Sequence, residues 1–283
     1  TQNLDTGVTT ASSVYEDSPA MKAGMKDGDI IYQVEGRDVS GMDLEEISGN
    51  IKGEKGTTVE ITVLRGEDRE EVTLTITRDT IQAETVKTRM LEDEIGYLAI
   101  SEFDSVTLEQ YKEGLEELKA QGMEGLIVDL RGNPGGNLDT VCEILDLMLP
   151  EGLIVYTEDK DGNRQEFTSD EAQEVQVPLA VLVDGNSASA SEIYAGAIQD
   201  YGIGQIVGTK TYGKGVVQTI YDLKDGTSLK LTVAEYFTPN GRNIDGEGIT
   251  PDVEVAYQRD ENDPEADNQL DRAVEALQDE MAP

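Results

Sequence analysis

Apolar residues in positions 1–80 alternate with polar ones in short runs, and glycine-containing turns separate these runs. Alternation with a period of two is typical of strands that bury one face. We therefore predict strands at Gly7–Val14, Ile30–Val34, Thr57–Arg65 and Glu70–Arg78. The turn Gly66-Glu67-Asp68 joins the last two strands. Two short helices are also predicted, one capped by Ser18 with Pro19 in its first turn, and one over Asp43–Ile51.

The pattern changes at Ile95, where apolar runs begin to alternate with segments of helical periodicity. The predicted strands are Ile95–Ser101, Gly125–Leu130, Leu153–Thr157, Leu179–Val183, Gln205–Gly208, Val216–Tyr221 and Ser228–Ala234. The predicted helices are Leu108–Ala120, Leu138–Leu149 and one that starts near Ser189. This alternation predicts an α/β fold with a central, largely parallel β-sheet flanked by helices.

Three regions follow from these patterns. The polar, weakly periodic stretch Thr80–Glu94 is expected to connect two domains. We assign residues 1–80 to a small β-rich domain and residues 81–258 to the α/β core. Residues 259–283 then form an acidic loop, Asp260–Asp267, and a terminal helix at Asn268–Gln278.

Composition narrows the classes of function. The chain has 22 Lys and Arg residues against 59 Asp and Glu residues, a net charge of −37. Such a surface repels phosphate backbones, which argues against nucleic acid as a partner. With no histidine and one cysteine, Cys142, no zinc site is expected, and the apolar neighbours of Cys142 predict a core residue. No apolar run reaches transmembrane length, and the start at Thr1 suggests a fragment or a processed form.

A serine nucleophile without a histidine base is the chemistry that the sequence favours. Ser189 lies in Asn186–Glu192, at the opening of a predicted helix, and Lys214 follows between two glycines. A Ser-Lys pair is a variant of the serine triad, and Gln218 could orient the lysine amine. A lysine acts as a base only when neutral, so burial away from water would have to lower its pKa. Each residue also has an ordinary interpretation: the serines as helix caps, the lysine in a surface turn, the glutamine in a strand.

A glycine loop could complete this site. The segment Asp129–Gly136 follows a buried strand and precedes a helix, a position that favours functional sites in open α/β sheets. There, Gly135 and Gly136 could present backbone N–H groups to an oxyanion. The alternative is a loop that needs glycine only for its turn. A nucleophile, a base and an oxyanion loop, each beside a strand end, together favour an enzyme.

Four segments resemble the carboxyl-terminal processing peptidases, or tail-specific proteases. These segments are Leu126–Gly136, Asn186–Glu192, Gly208–Gln218 and Leu231–Asp252. In addition, Ser18-Pro19-Ala20, Ala23-Gly24 and Gly28–Ile31 resemble the PDZ domain that these proteases carry. The resemblance covers nearly the whole chain in the family's order.

The resemblance implies a serine endopeptidase that cleaves proteins near their C-termini through an acyl-enzyme. It places the nucleophile on Ser189, the general base on Lys214 and the supporting glutamine on Gln218. The oxyanion hole would use the N–H of Ala190 and that of Gly135 or Gly136. No metal or organic cofactor is implied.

The resemblance also bears on partners and location. The expected partners are proteins or peptides with accessible C-terminal tails, and homo-oligomerisation is left open. Family PDZ domains open with a glycine-rich carboxylate-binding loop, of which only Thr6-Gly7-Val8 is present, so we expect an N-terminally truncated domain. The family works outside the cytoplasm, in the bacterial cell envelope. Its targeting segment or membrane anchor would lie upstream of this chain.

Two rival functions stay open on the sequence. A PDZ scaffold with an inactive protease-like core would bind peptides without forming an acyl-enzyme. An acyl hydrolase or amidase with the same dyad would turn over small esters or amides but not protein tails. A coenzyme A-handling enzyme is a weaker alternative, because nothing in the sequence indicates adenine recognition.

Overall fold

The computed structural model describes residues 1–3, 6–15, 18–66, 68–81, 84–170, 175–223, 227–260, 263 and 266–281. Glu67 of the predicted hairpin turn lies outside these residues, as do positions 261, 262, 264 and 265 of the acidic loop. The chain folds as two compact units, residues 1–83 and 84–283.

The first unit is an antiparallel sheet with two short helices. Its strands are β1 (Ile30–Val34), β2 (Arg37–Asp38), β3 (Thr58–Arg65) and β4 (Glu70–Thr77), in the order β2-β1-β3-β4. Its helices are α1 (Pro19–Lys22) and α2 (Leu44–Ile51). The Ser18 hydroxyl accepts a hydrogen bond from Met21 N–H at 3.1 Å, which confirms the predicted cap. Its core contains Val34, Ile47, Ile61 and Val63.

The strand predicted at Gly7–Val14 is wrong. This segment forms only isolated bridges, from Thr9 to Gln2 and from Thr10 to Ile30. The physical reason is that its backbone changes partners along its length. Gly7 has a φ of 68°, and Val14 N–H donates to the Asp27 carboxylate instead of to a neighbouring strand.

The second unit contains ten strands, four α-helices and a short 3-10 helix (Glu92–Glu94) among its described residues. The strands are β5 (Val86–Met90), β6 (Ile95–Ile100), β7 (Gly125–Asp129), β8 (Gly152–Asp159), β9 (Arg164–Ser169), β10 (Leu179–Val183), β11 (Gln205–Gly208), β12 (Val216–Asp222), β13 (Ser228–Phe237) and β14 (Val253–Glu254). The helices are α3 (Thr107–Ala120), α4 (Leu138–Asp146), α5 (Ala190–Tyr201) and α6 (Asn268–Met281).

A six-stranded sheet in the order β14-β11-β10-β7-β6-β5 forms the centre of this unit. Its neighbouring strands are parallel, except that β5 pairs antiparallel with β6. Both faces are buried: Leu126 and Val128 lie in the core with α3, α4 and α5, whereas Ile127 lies in the core with α6. The predicted α/β fold with a largely parallel central sheet is confirmed.

Two expectations about the strands need correction. Three predicted strands, Leu153–Thr157, Val216–Tyr221 and Ser228–Ala234, belong to a separate antiparallel sheet in the order β12-β13-β8-β9. Hairpin pairing of β12 with β13 places them there. In addition, β5 lies within the stretch expected only to connect domains, because its polar Lys87 and Arg89 hide an edge strand.

Parallel pairing brings three loops together. Strand β10 pairs with β7 on one side and with β11 on the other, all parallel. The segments that follow their carboxyl ends therefore meet at one edge of the sheet. These segments contain Gly135 and Gly136, Ser189, and Lys214. No helix among the described residues is both long enough and apolar enough to cross a membrane.

Candidate active site

Three serines precede and open α5, and the structure distinguishes the middle one. Ser187 and Ser191 are buried, and their hydroxyls donate to backbone oxygens, that of Leu130 at 2.7 Å and that of Asn133 at 3.0 Å. Ser189 is half-buried and occupies the N-cap position of α5. Its φ of 56° and ψ of −114° are unusual for a residue with a side chain. Strain of this kind is often found at functional sites.

The carboxylate of Glu192 joins the Ser189 segment to the Lys214 segment. Glu192 is fully buried in the first turn of α5. Its Oε2 accepts hydrogen bonds from the backbone N–H of Ser189 at 2.9 Å and from that of Lys214 at 2.8 Å. Its Oε1 accepts from the Thr211 hydroxyl and from Gly213 N–H, each at 2.6 Å. Because one oxygen binds both backbones, Ser189 and Lys214 are close neighbours.

The glycines around Lys214 allow close packing against a second loop. Gly213 has a φ of 87°, and its carbonyl accepts a hydrogen bond from Gly246 N–H at 2.9 Å. Gly215 lies so near Asp245 that a side chain would collide with the Asp245 backbone. These contacts fix the backbone of Lys214 from both sides.

The Lys214 side chain itself is exposed, so the expected burial is not observed. The reason is that the loop secures the backbone of Lys214 and covers little of its side chain. Gln218 is exposed on β12, where its amide donates at 3.5 Å to the Thr232 hydroxyl. Among the described residues, Lys214 forms no hydrogen bond with Ser189 or with Gln218. The catalytic roles of these three residues stay predictions.

The glycine loop after β7 packs directly against the serine. A side chain at Gly135 would place its Cβ 2.6 Å from Ala188 O, 2.8 Å from Ser189 Cβ and 2.9 Å from Ala190 N. Gly135 has a φ of 101°, which also excludes most side chains. Only a glycine fits between the loop and the start of α5.

The two glycines differ in what their N–H groups do. Gly135 N–H donates to the Asn133 side chain at 2.8 Å. Phe103 N–H donates to Gly135 O, and Asn137 N–H donates to Phe103 O. In this parallel bridge, the N–H of the central Gly136 points away from Phe103. This geometry favours Gly136 over Gly135 as the donor to a bound oxyanion.

Two polar residues that the sequence analysis did not single out support this edge of the sheet. Asn133 is fully buried, donates to Ile100 O at 2.9 Å and accepts from Ala188 N–H through its backbone oxygen at 3.0 Å. Asp184 accepts from Gly132 N–H at 3.0 Å and from Ser187 N–H at 3.1 Å. They tie the glycine loop to the serine segment.

Electrostatics favour the charged form of Asp184. Burial alone would raise its pKa, but hydrogen bonds from the backbone of Gly132, Asn186 and Ser187, and from the Asn186 side chain, lower it below the ordinary value. Hydrogen bonds to a carboxylate stabilise its ionised state. Asp184 therefore contributes a fixed negative charge to this loop cluster.

The role of Glu192 also went unpredicted, although its signal was present. A serine followed three residues later by glutamate is the capping-box pattern, in which the glutamate accepts from the backbone N–H of the serine. Ser189 and Glu192 have this spacing. The second half of the contact, to Thr211, Gly213 and Lys214, depends on tertiary structure and carries no local signal.

Cys142 is buried in α4, as predicted from its apolar surroundings. Burial, with the nearby charges of Asp139 and Glu143, raises its pKa to about 12. Within the described ranges, no group of three or more His, Cys, Asp or Glu side chains could hold a metal ion.

Comparison with known families accounts for this arrangement. Residues 94–255, more than half of the chain, match the model of peptidase family S41, and residues 10–65 match a PDZ domain model. The chain belongs to peptidase family S41. The S41 match includes the three segments that meet at the sheet edge, which are the glycine loop, the Ser189 segment and the Lys214 segment. It also includes the loop of Asp245, which packs against the Lys214 segment. The resemblance to carboxyl-terminal processing peptidases is thereby confirmed at the level of the family.

Several S41 relatives are similar over most of the chain. A probable CtpA-like serine protease of Staphylococcus epidermidis is 37% identical over 250 residues, 87% of this chain and 50% of the relative. The carboxy-terminal processing protease CtpA of Bacillus subtilis is 37% identical over 239 residues, 84% of this chain and 51% of the relative. The chain spans about half the length of these curated relatives.

The solved structures agree with this S41 assignment. The photosystem II D1 C-terminal processing protease superposes with a TM-score of 0.58 at 31% identity, covering 98% of this chain and 74% of that one. A putative S41 protease from Bacteroides fragilis has a TM-score of 0.58 at 18% identity, covering 100% of this chain and 82% of that one, and supports the fold alone.

Proposed function

We propose that this chain is the PDZ-bearing catalytic part of a serine endopeptidase that cleaves protein substrates near their C-termini. The observation that carries this proposal is the Glu192 carboxylate, which accepts from the backbones of both Ser189 and Lys214. The hydroxyls of Ser187 and Ser191 are buried and donate to backbone oxygens. Ser189, which is half-buried, is therefore the serine that we propose as the nucleophile. The names of the relatives, which are carboxyl-terminal processing proteases, support the same activity.

In the proposed mechanism, neutral Lys214 takes the proton of Ser189 as the serine oxygen attacks a peptide carbonyl carbon. The N–H groups of Ala190 and Gly136 stabilise the oxyanion. Collapse of the tetrahedral intermediate breaks the peptide C–N bond, and Lys214 gives its proton to the leaving amine. Water then hydrolyses the acyl-enzyme with Lys214 as the base.

The exposure of Lys214 adds a requirement to this mechanism. An amine in water is charged at neutral pH and cannot accept a proton. We propose that bound substrate covers Lys214 and excludes water from it, so that the base forms only in the complex. Gln218 would then hydrogen-bond the desolvated amine.

The remaining assignments are carried by the family. We propose residues 1–80 as the PDZ domain, residues 81–258 as the peptidase core and residues 259–283 as the acidic segment and terminal helix. The PDZ domain would bind substrate tails by adding a strand to its sheet edge. We also propose that the protein works outside the cytoplasm, in the cell envelope.

The test compares wild type with Ser189→Ala, Lys214→Ala and Lys214→Arg on a loosely structured protein, with fragments identified by mass spectrometry. Cleavage near the substrate's C-terminus should disappear in all three variants while their folding is unchanged. Lys214→Arg is the informative control, since arginine keeps the positive charge but does not give up its proton.

Three outcomes would contradict the proposal. Activity in Lys214→Arg would show that charge suffices and would remove the lysine as base. Peptide binding without any Ser189-dependent cleavage would favour an inactive scaffold. Turnover of small esters without cleavage of protein tails would favour an acyl hydrolase.

A further inference from the structure

Arg131 stands at the point where β7 ends and the glycine loop begins, and carboxylates from two separate elements hold it. Its guanidinium donates to Asp129, at the end of β7, with an Nη2 to Oδ2 distance of 2.6 Å. It also forms a bidentate pair with Asp267, with hydrogen bonds from Nη1 to Oδ1 at 3.0 Å and from Nη2 to Oδ2 at 2.8 Å. The Arg131 side chain is only 17% exposed.

Asp267 belongs to the start of the C-terminal helix. Its Oδ1 accepts the backbone N–H groups of Gln269 and Leu270, each at 3.1 Å, and so caps the first turn of α6. Gln269 adds a third acceptor to Arg131 at 3.0 Å. Ala273 and Leu277 pack α6 onto the central sheet, which makes the helix a rigid support.

The energetics of such a pair favour orientation over stability. A largely buried ion pair gives little net stabilisation, because desolvation offsets the attraction between the charges. A bidentate guanidinium–carboxylate contact does, however, fix the plane and direction of the guanidinium. Arg131 is followed directly by Gly132, Asn133, Pro134 and Gly135, and Gly135 contacts Ser189. The direction of the chain at Arg131 therefore influences where the glycine loop lies.

We infer that Asp267, acting through Arg131, is a positioning residue for the glycine loop that faces Ser189. Through this contact, the start of the C-terminal helix supports the glycine loop without touching substrate. This inference rests on the proposed peptidase function, and its effect falls on the oxyanion donor of the loop, not on substrate binding.

The test is Asp267→Asn, a substitution that separates the two tasks of the residue. The asparagine oxygen can still cap α6, since Asn and Asp cap equally well. The NH2 group of the asparagine would face Arg131 Nη2, so that two donors would oppose each other and the bidentate contact would be lost. Asp271→Asn is the matched control, because it removes the same charge from the same turn at an exposed position.

Hydrogen exchange and steady-state kinetics measure the effect of Asp267→Asn. We expect backbone amides of residues 131–136 to exchange hydrogen about tenfold faster in Asp267→Asn than in wild type and Asp271→Asn. We also expect kcat for protein cleavage to fall about tenfold or more, with KM nearly unchanged, since misplacement affects the oxyanion and not binding.

The outcomes distinguish this inference from the function on which it rests. Unchanged exchange, or faster exchange with unchanged kcat, would overturn the positioning role while Ser189-dependent cleavage persists in wild type. An equal fall of kcat in Asp271→Asn would attribute the effect to charge alone and would also overturn it. Cleavage that survives Ser189→Ala would overturn the proposed function itself, whatever Asp267→Asn does.

Discussion

Each oxygen of the Glu192 carboxylate accepts two hydrogen bonds, and this determines what a substitution would do. In Glu192→Gln, an NH2 group at the Oε2 position would face the N–H groups of Ser189 and Lys214. At the Oε1 position it could donate to the Thr211 hydroxyl but would still face Gly213 N–H. Either orientation sets the NH2 group of a fully buried side chain against at least one backbone N–H and leaves that N–H without its acceptor, which costs about 1–3 kcal/mol.

We therefore expect Glu192→Gln to lower the free energy of unfolding by that amount and to reduce kcat at least about tenfold. Urea unfolding and steady-state kinetics measure the two effects. Glu247→Gln is the control, because the same change is made at an exposed position in a neighbouring loop. Wild-type stability in Glu192→Gln would show that the carboxylate is not the link between the two segments.

The contact of Gly135 with Ser189 gives a second test at this scale. Gly135→Ala would introduce a Cβ 2.8 Å from Ser189 Cβ and 2.6 Å from Ala188 O. Gly132 in the same loop also has a positive φ, 71° against 101° at Gly135, but the Cβ of Gly132→Ala would meet nothing within 4 Å. Gly132→Ala should cost about 1–2 kcal/mol from backbone strain alone.

Gly135→Ala should cost clearly more than Gly132→Ala and should abolish cleavage, because the loop must move away from Ser189. Thermal unfolding and the cleavage assay compare the two variants. Equal losses of stability and activity would mean that only the φ matters, and that the packing against Ser189 has no role.

At the residue scale, the sequence identified the segments but not the contacts between them. The Ser-x-x-Glu spacing predicts one of the four hydrogen bonds to Glu192. The other three come from residues 19 to 22 positions away, so their geometry exists only once β10 and β11 pair. The exposure of Lys214 was missed for the same reason, because the uncharged residues Tyr212, Val216 and Val217 nearby in the sequence do not determine whether the fold covers the lysine side chain.

At the scale of elements, strands buried on both faces could be predicted from the sequence, whereas edge strands could not. Buried runs such as Leu179–Val183 have the predicted limits, because strands buried on both faces are apolar throughout. The edge strand β5 was missed because two of its five side chains, those of Lys87 and Arg89, are polar and exposed. The second sheet was not predicted as separate from the central one, because strand periodicity does not tell which strands pair. The segment Gly7–Val14 pairs with β1 only through an isolated bridge from Thr10 to Ile30, which its alternation could not indicate.

Several elements are joined by carboxylates whose pKa lies below its ordinary value, and this gives a prediction about acid. A hydrogen bond from Arg65 lowers the pKa of Asp29, which ties a turn to β3. For Asp184, burial raises the pKa but backbone hydrogen bonds outweigh this and lower it. A lowered folded-state pKa means that the unfolded chain binds protons first as pH falls. Their stabilisation is complete above the ordinary value of 3.8 and is lost below it.

We expect the free energy of unfolding to fall less steeply between about pH 5 and pH 3 in Asp29→Asn and in Asp184→Asn than in wild type. The two effects should add in the double variant, because the residues lie in separate units. Urea unfolding at a series of pH values measures these slopes. Parallel slopes in wild type and variants would show that neither carboxylate has a lowered pKa.

At the scale of the whole molecule, charge repulsion dominates the electrostatics. With 22 cationic and 59 acidic side chains, most carboxylates have no possible ion-pair partner, and the net charge is −37. Mutual repulsion of this kind opposes the compact state, and salt screens it over a Debye length of about 10 Å at 0.1 M. The well-formed ion pairs, such as Arg65 with Asp29 and Arg131 with Asp267, are partly buried and are screened much less.

We therefore expect the urea midpoint of unfolding at pH 7 to rise as NaCl increases from about 0.02 M to about 0.5 M. Urea is the suitable denaturant, since guanidinium is itself a salt. The double variant Glu113→Lys and Glu116→Lys, at two exposed positions of α3, makes the net charge less negative. It should have a higher midpoint at low salt and a weaker dependence on salt. A midpoint that falls with salt would mean that attraction within the ion pairs outweighs repulsion among the remaining carboxylates.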